Sequence, residues 1–249
     1  GKDRFGRITA KAAVPIADLS TGLYATISIL AALQHRNRTG EGQHIDLALL
    51  DTQMVMLANQ ASSWLNGGVD PRPMGNQHPS ITPYQDFACK DGRVLVALGN
   101  DRQFRDFCTL LGHGEWGNDP RFAVSGTRSD NRAALLALIE PAIAEWEAEA
   151  LIAAMEAARL PGGRINTVPE ALALPQIAAR GLVHEIERND GTSVRFLGFP
   201  GQFSRSPATY RCAPPRSAED TRAVLGEKLG LSADELDRLQ ASGVIADTL

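Results

Sequence analysis

The first long apolar run in the chain is "LYATISILAAL" (23–33), where Leu23, Ile27, Leu30 and Ala31 recur at helical spacing. The spacing predicts a helix over 18–37, with Asp18 or Ser20 as its cap. Nearly every position from Tyr24 to Leu33 is apolar or small, which predicts burial on most sides. His35, Arg36 and Arg38 follow, where they suit the negative end of the helix dipole. "TGEGQ" then turns the chain through Gly40 and Gly42. "HIDLALL" (44–50) alternates Ile45, Leu47 and Leu49 against Asp46 and Ala48, and predicts a strand. A second helix is expected over 51–65, its stripe made by Met54, Val55, Leu57, Ala58 and Trp64.

The pattern breaks at "NGGVDPRPMGN" (66–76), a linker or a functional loop by its glycines, prolines and asparagines. "YQDFAC" and "RVLVALG" predict a hairpin turned by Lys90, Asp91 and Gly92. Asp101–Leu111 predicts a helix with Phe104, Phe107, Cys108 and Leu111 on one face, capped by Asn100 or Asp101. "NRAALLALIEPAIAEW" and "EAEALIAAMEAARL" predict two more, so 77–165 has the texture of a small α+β unit. Beyond it, short helical turns are expected to be split by Pro169 and Pro175. A second hairpin is expected to turn at Asn189, Asp190 and Gly191. Two closing helices are expected, 217–229 and 232–242, the second capped by Ser232 with Glu235 at the capping-box position.

Composition narrows the class without naming a function. The 249 residues suffice for one or two domains, and 43% hydrophobic with 22% charged is ordinary for a globular protein. A formal charge of -4 gives no reason to expect nucleic acid or an acidic membrane as partner. Three scattered cysteines argue against a disulfide framework or zinc and for a reducing, cytoplasmic setting. The apolar stretch Ile27–Leu33 is far short of the roughly 20 residues that span a bilayer, so no membrane partner is expected. The chain starts at Gly1, without Met or a signal-peptide core, and reads as a processed or shortened piece.

Candidate chemistry is sparse. Nucleotide-loop, metalloprotease and nucleophile-elbow motifs are absent, and the five histidines have no metal-ligand spacing, so no metal is expected. Asp18 opens the apolar helix, where free N–H groups and the dipole favour a carboxylate. That environment serves a cap, a base or a nucleophile alike, and spacing alone favours the cap. "MGNQHPSITPY" (74–84) brings glycine, two amides, a histidine and a hydroxyl into one loop, a composition suited to a linker, a ligand contact or a lid. "GNDRQF" (99–104) reads as a turn and a cap.

Three stretches in this order, "VPIADLSTGLYATISILAALQHRNRTGEGQHIDLALLD", "MGNQHPSITPYQDFACKDG" and "LGNDRQFRDFC", resemble the family III (CaiB/BaiF) CoA-transferases. Weaker matches extend the resemblance over about residues 11–245, through "DPRFAVSGTRSDNRAAL", "LPGGRIN", "PQIAARGLV" and "SGVI". The resemblance implies an α/β fold: part of a Rossmann-like large domain plus a small α+β domain, with the family's N-terminal segment lacking. It implies that 1–65 is a large-domain part carrying the catalytic residue, 66–76 a linker and 77–165 the small domain. Residues 166–215 would then be linker and hairpin, and 216–249 a helical return to the large domain. The resemblance also implies an interlinked homodimer for the full-length protein.

The resemblance makes Asp18 the nucleophile of an acyl-CoA:carboxylate CoA-transferase working through an aspartyl anhydride and an aspartyl-CoA thioester. The implied substrates are an acyl-CoA and a carboxylic acid acceptor, with coenzyme A thioester as substrate and no cofactor required. The family's active-site loop maps onto Gly75, Asn76, Gln77, His78, Ser80 and Tyr84 as substrate-binding residues. Formyl-CoA transferases carry a glycine run there. "QHPSITPY" departs from it and is similar to relatives using succinyl or glutaryl groups, although no Arg in the block is an obvious clamp. Two alternatives stand beside this reading. An α-methylacyl-CoA racemase-like isomerase would use Asp18 with Asp101 as acid and base, and a non-catalytic truncated fragment would only bind or pair.

Overall fold

The computed structural model describes residues 14–188 and 190–246, a mixed α/β chain with antiparallel sheets. It forms two compact units, the first ending at Ile165 and the second beginning at Asn166.

The first unit opens with α1 (Ile16–Thr39), which stops at Gly40, whose φ of 79° lets its N–H reach Arg36 O. Only Ser20 of α1 is buried. Leu23, Ile27 and Leu30 are more than half exposed, against the expectation of burial. The reason is that α2 (Leu49–Met56) is the main neighbour of α1 among the described residues. At 24 residues α1 is long and apolar enough to cross a bilayer by length and composition, which the count over Ile27–Leu33 missed. A core helix of a globular protein passes the same test.

The strand expected at 44–50 does not form: the segment runs without a ladder to Leu49, where α2 begins. A strand needs a neighbour for its N–H and C=O groups, and none lies beside it among the described residues. The helix expected over 51–65 is two, α2 and α3 (Ala58–Gly67), parted where Ala58 takes a φ of 45°.

Farther along the first unit, the strands and helices that the pattern predicts between Tyr84 and Ala157 form. Strands β1 (Tyr84–Cys89) and β2 (Gly92–Ala97) pair antiparallel with Tyr84 opposite Ala97 and Cys89 opposite Gly92. Alternate residues Phe87, Val94 and Val96 point inward. Helix α4 (Asp101–Leu110) buries Phe104, Phe107 and Cys108 against them. A 3-10 turn (Gly114–Asn118) and α5 (Ser125–Asp130) lead to α6 (Arg132–Ala144), which packs on β1 through Leu135, Ile139 and Ile143. Helix α7 (Ala148–Ala157) adds Leu151 and Met155. Each fully buried Phe or Leu contributes about 1.5–3 kcal/mol. A third strand, β3 (Gly162–Arg164), completes the sheet on the far edge of β2.

In the second unit the prolines start helices instead of splitting them. Pro169 lies in the first turn of α8 (Val168–Leu172), and Pro175 opens α9 (Pro175–Ala179). Strands β4 (Val183–Glu187) and β5 (Ser193–Leu197) form the expected hairpin; of its turn, Asn189 lies outside the described residues. Helix α10 (Thr221–Leu229) begins later than 217, because 217–220 forms a turn in which Ala218 has a φ of 63°. In α11 (Ala233–Ala241), Ser232 and Glu235 make the expected reciprocal cap.

Gly162 is where β3 tolerates no side chain. A Cβ there would lie 2.4 Å from Met155 Cε and 2.7 Å from Leu95 O, whereas Gly163 has open space. Gly162→Ala is expected to lower stability by about 1–3 kcal/mol, read as a shift in denaturant midpoint. Gly163→Ala is expected to shift it far less, and equal shifts contradict the packing argument.

Candidate active site

Asp18 is the third residue of α1, inside its first turn, and its side chain is exposed. It is not the cap. Pro15 holds the cap position with a φ of -75°, and no side chain caps the helix. Proline's fixed φ suits a helix entrance, so the helix starts two residues before Asp18. Ser20 is no cap either. It is buried in the second turn and donates to Ile16 O at 2.7 Å. Among the described residues Asp18 has no hydrogen-bond or ionic partner. Its carboxylate therefore projects unclaimed, near N–H groups and a dipole that favour negative charge.

What fixes that turn is a set of hydroxyls, of which the sequence points only to Ser20, and to it as a cap. Ser20 Oγ accepts from Gln53 Nε2 of α2 at 3.0 Å. Thr21 Oγ1 lies 2.7 Å from Ala17 O and 2.7 Å from Thr52 Oγ1, which lies 2.9 Å from Leu49 O. The two threonines have two protons for three contacts, so the set is shared between the helices. Thr52 is buried. Ile16 and Ala17, whose carbonyls are held, immediately precede Asp18. The available signal was two adjacent polar pairs, Ser20–Thr21 and Thr52–Gln53, each bordering an apolar run.

The 74–84 loop turns at Gly75, with a φ of 68°. Gly75 and Gln77 line a cleft of about 540 Å³ with Gln60, Asp70, Arg72 and Pro79. Asn76 faces another, of about 510 Å³, with Gln85 and Arg93. The His78 ring stacks on Tyr84, centroids 5.1 Å apart, and the His78 N–H donates to Tyr84 O at 3.0 Å. His78 Nδ1 accepts from the backbone N–H groups of Ser80 and Ile81 at 3.2 and 3.1 Å. No hydrogen bond links this loop to Asp18 among the described residues.

Two arginines reach the loop from far along the chain. Arg128 is fully buried. Its Nε donates to Thr82 O at 2.9 Å, Nη1 to Phe122 O at 2.9 Å, and Nη2 to Asp101 Oδ1 at 2.8 Å. The guanidinium also sits 4.5 Å from the Phe104 ring centroid. Arg132 Nη2 donates to His78 O and Pro79 O at 2.9 and 3.3 Å, and Ser129 Oγ donates to Ser80 O at 3.0 Å. Burial holds Arg132 below the usual guanidinium pKa.

Asp101 thus has a partner. Asn100, not Asp101, caps α4, accepting from Gln103 N at 2.9 Å. Asp101 is the counter-ion of a buried cation and is itself partly solvated, at 38% side-chain exposure. Asp101→Ala is expected to cost about 1–3 kcal/mol by stranding that guanidinium, measured by thermal or denaturant unfolding. Unchanged stability with lost activity would instead favour acid–base chemistry at Asp101.

A family model described as CoA-transferase family III matches residues 5–221. The chain is 40% identical over 217 residues to a succinate–glutarate CoA-transferase of Agrobacterium fabrum, covering 87% of this chain and 54% of that protein. It is 32% identical over 232 residues to a succinyl-CoA:glutarate CoA-transferase of Mus musculus, covering 93% and 53%. The crystal structure of a CaiB/BaiF family protein from Brucella suis superposes with a TM-score of 0.73 at 42% identity, covering 91% of this chain and 58% of that one. The chain therefore spans about half the length of the curated relatives it matches. With the match running over most of its residues, the chain belongs to CoA-transferase family III.

Proposed function

We propose that this protein moves coenzyme A between carboxylic acids, with Asp18 as the covalent carrier. The observation that carries the reading is an exposed carboxylate, without a partner among the described residues, in a helix turn held by Ser20, Thr21, Thr52 and Gln53. A nucleophile must be unclaimed by neighbours yet fixed in direction.

The Asp18 carboxylate attacks the acyl-CoA carbonyl and expels CoA thiolate, giving a mixed anhydride. The thiolate attacks the aspartyl carbonyl of that anhydride, releasing the first acid as its carboxylate and forming an aspartyl-CoA thioester. The acceptor carboxylate attacks this thioester and expels thiolate, giving a second anhydride. Thiolate attack on the acceptor carbonyl then yields the new acyl-CoA and restores Asp18. Each step exchanges one activated acyl group for another, and the protein supplies alignment, donors for the oxyanions and exclusion of water.

The substrate loop is Gly75–Tyr84, and the acids are dicarboxylates of the succinyl or glutaryl type. The names of the Agrobacterium and mouse relatives and the absence of a glycine run support this choice. In this reading α1 is a core helix, its apolar face covered in an interlinked homodimer, and the protein is cytoplasmic. The racemase alternative needs Asp101 free, and Asp101 serves Arg128. Incubation with acyl-CoA and hydroxylamine is expected to leave a hydroxamate on the Asp18 peptide, located by mass spectrometry. Asp18→Ala is expected to cut CoA exchange on the order of a thousandfold or more. An unmodified Asp18 peptide from a protein that exchanges CoA overturns the proposal.

A further inference from the structure

The backbone of the 78–82 loop is held from both sides. The carbonyls of residues 78, 79, 80 and 82 all accept from three side chains in one short segment: Arg132, Ser129 and Arg128. The N–H groups of Ser80 and Ile81 both point at His78 Nδ1. A backbone N–H only donates, so Nδ1 must present its lone pair, and the neutral imidazole then carries its proton on Nε2. Nε2 has no partner among the described residues. The Tyr84 ring, stacked at 19° to the imidazole plane, limits its rotation.

We propose that Arg132 and Ser129 are positioning residues that lock His78 in its Nε2–H tautomer, so that the loop offers the substrate a fixed neutral donor, not a general base. The group it would meet is a carboxylate oxygen of the acid substrate, and this half of the inference rests on the transferase reading. The logic is electrostatic as well as geometric. A neutral donor binds a carboxylate without protonating it, and the acceptor must stay ionised to attack the thioester. Arg132 lies 54 positions from His78 in sequence. It spends its half-buried guanidinium on loop carbonyls, and its buried Nη1 has no partner among the described residues. That costly placement has a purpose if the loop's shape, and not a charge, is what it delivers.

The test is a ring-nitrogen spectrum of the protein labelled with isotopic histidine, the His78 signal being assigned by its loss in His78→Gln. The expected result is a single Nε2–H tautomer with bare Nδ1; an Nδ1–H tautomer or an exchanging mixture overturns the proposal. In an Arg132→Gln, Ser129→Ala double variant the His78 signal is expected to lose that single state, and the KM for the acid acceptor to rise about tenfold with kcat changing less. Arg132→Lys, which keeps a donor, is expected to restore part of the loss. An unchanged His78 signal in the double variant contradicts the positioning role. The other four histidines report whether the variant is folded; if they too are disturbed, the wild-type tautomer decides alone. A wild-type protein that holds the Nε2–H tautomer but exchanges no CoA overturns the function reading and leaves this lock standing.

Discussion

A guanidinium buried without solvent is the constraint around which the β1–β2 sheet and its helices are organised. All three Arg128 nitrogens donate, to Thr82 O, Phe122 O and Asp101, and its face covers Phe104. Loss of any of these partners would leave a buried cationic donor unsatisfied, at a cost to stability. One side chain thereby ties the entrance of β1, the segment before α5 and the start of α4 to a common point. The apolar core of Phe104, Phe107, Phe122, Leu135 and Ile139 supplies the bulk of the burial, and Arg128 sets the register of the loops at its edge. Arg132 and Ser129 extend the same strap to the carbonyls of 78–80.

The Asp18 turn is held by a different device. Hydroxyls between α1 and α2 fix Ile16, Ala17 and Ser20 while leaving the neighbouring carboxylate exposed. Most of the remaining α1 surface is apolar and uncovered among the described residues. An exposed carboxylate on a held turn at the start of an apolar helix is suited to a site that closes around substrate and partner surfaces. Here closure would serve to keep water from the anhydride.

Legibility in the sequence followed how local each determinant is. The β1–β2 hairpin, α4 and α11 were readable because their turn and cap residues, Gly92, Asn100 and the Ser232–Glu235 pair, lie within a few positions of what they control. The 44–50 segment alternates correctly yet forms no strand, since pairing depends on chain elsewhere. Strand β3 has two glycines and no propensity; only its place beside β2 makes it a strand. The α2–α3 break carries no Gly or Pro to announce it. Asp18 was misread as a cap because the effect of Pro15 on the helix start outweighs side-chain preference. The arginine strap was invisible because it joins residues about fifty positions apart.

The central claim is that Asp18 exchanges covalent bonds with the acid substrate. Its most direct test is turnover, in ordinary water, with an acceptor acid whose carboxylate carries heavy oxygen. The acceptor's oxygen becomes the bridging atom of the second anhydride, and thiolate attack on the acceptor carbonyl leaves that atom on Asp18. The expected result is a labelled oxygen in the Asp18 peptide after turnover. CoA exchange that proceeds while Asp18 stays unlabelled contradicts the claim.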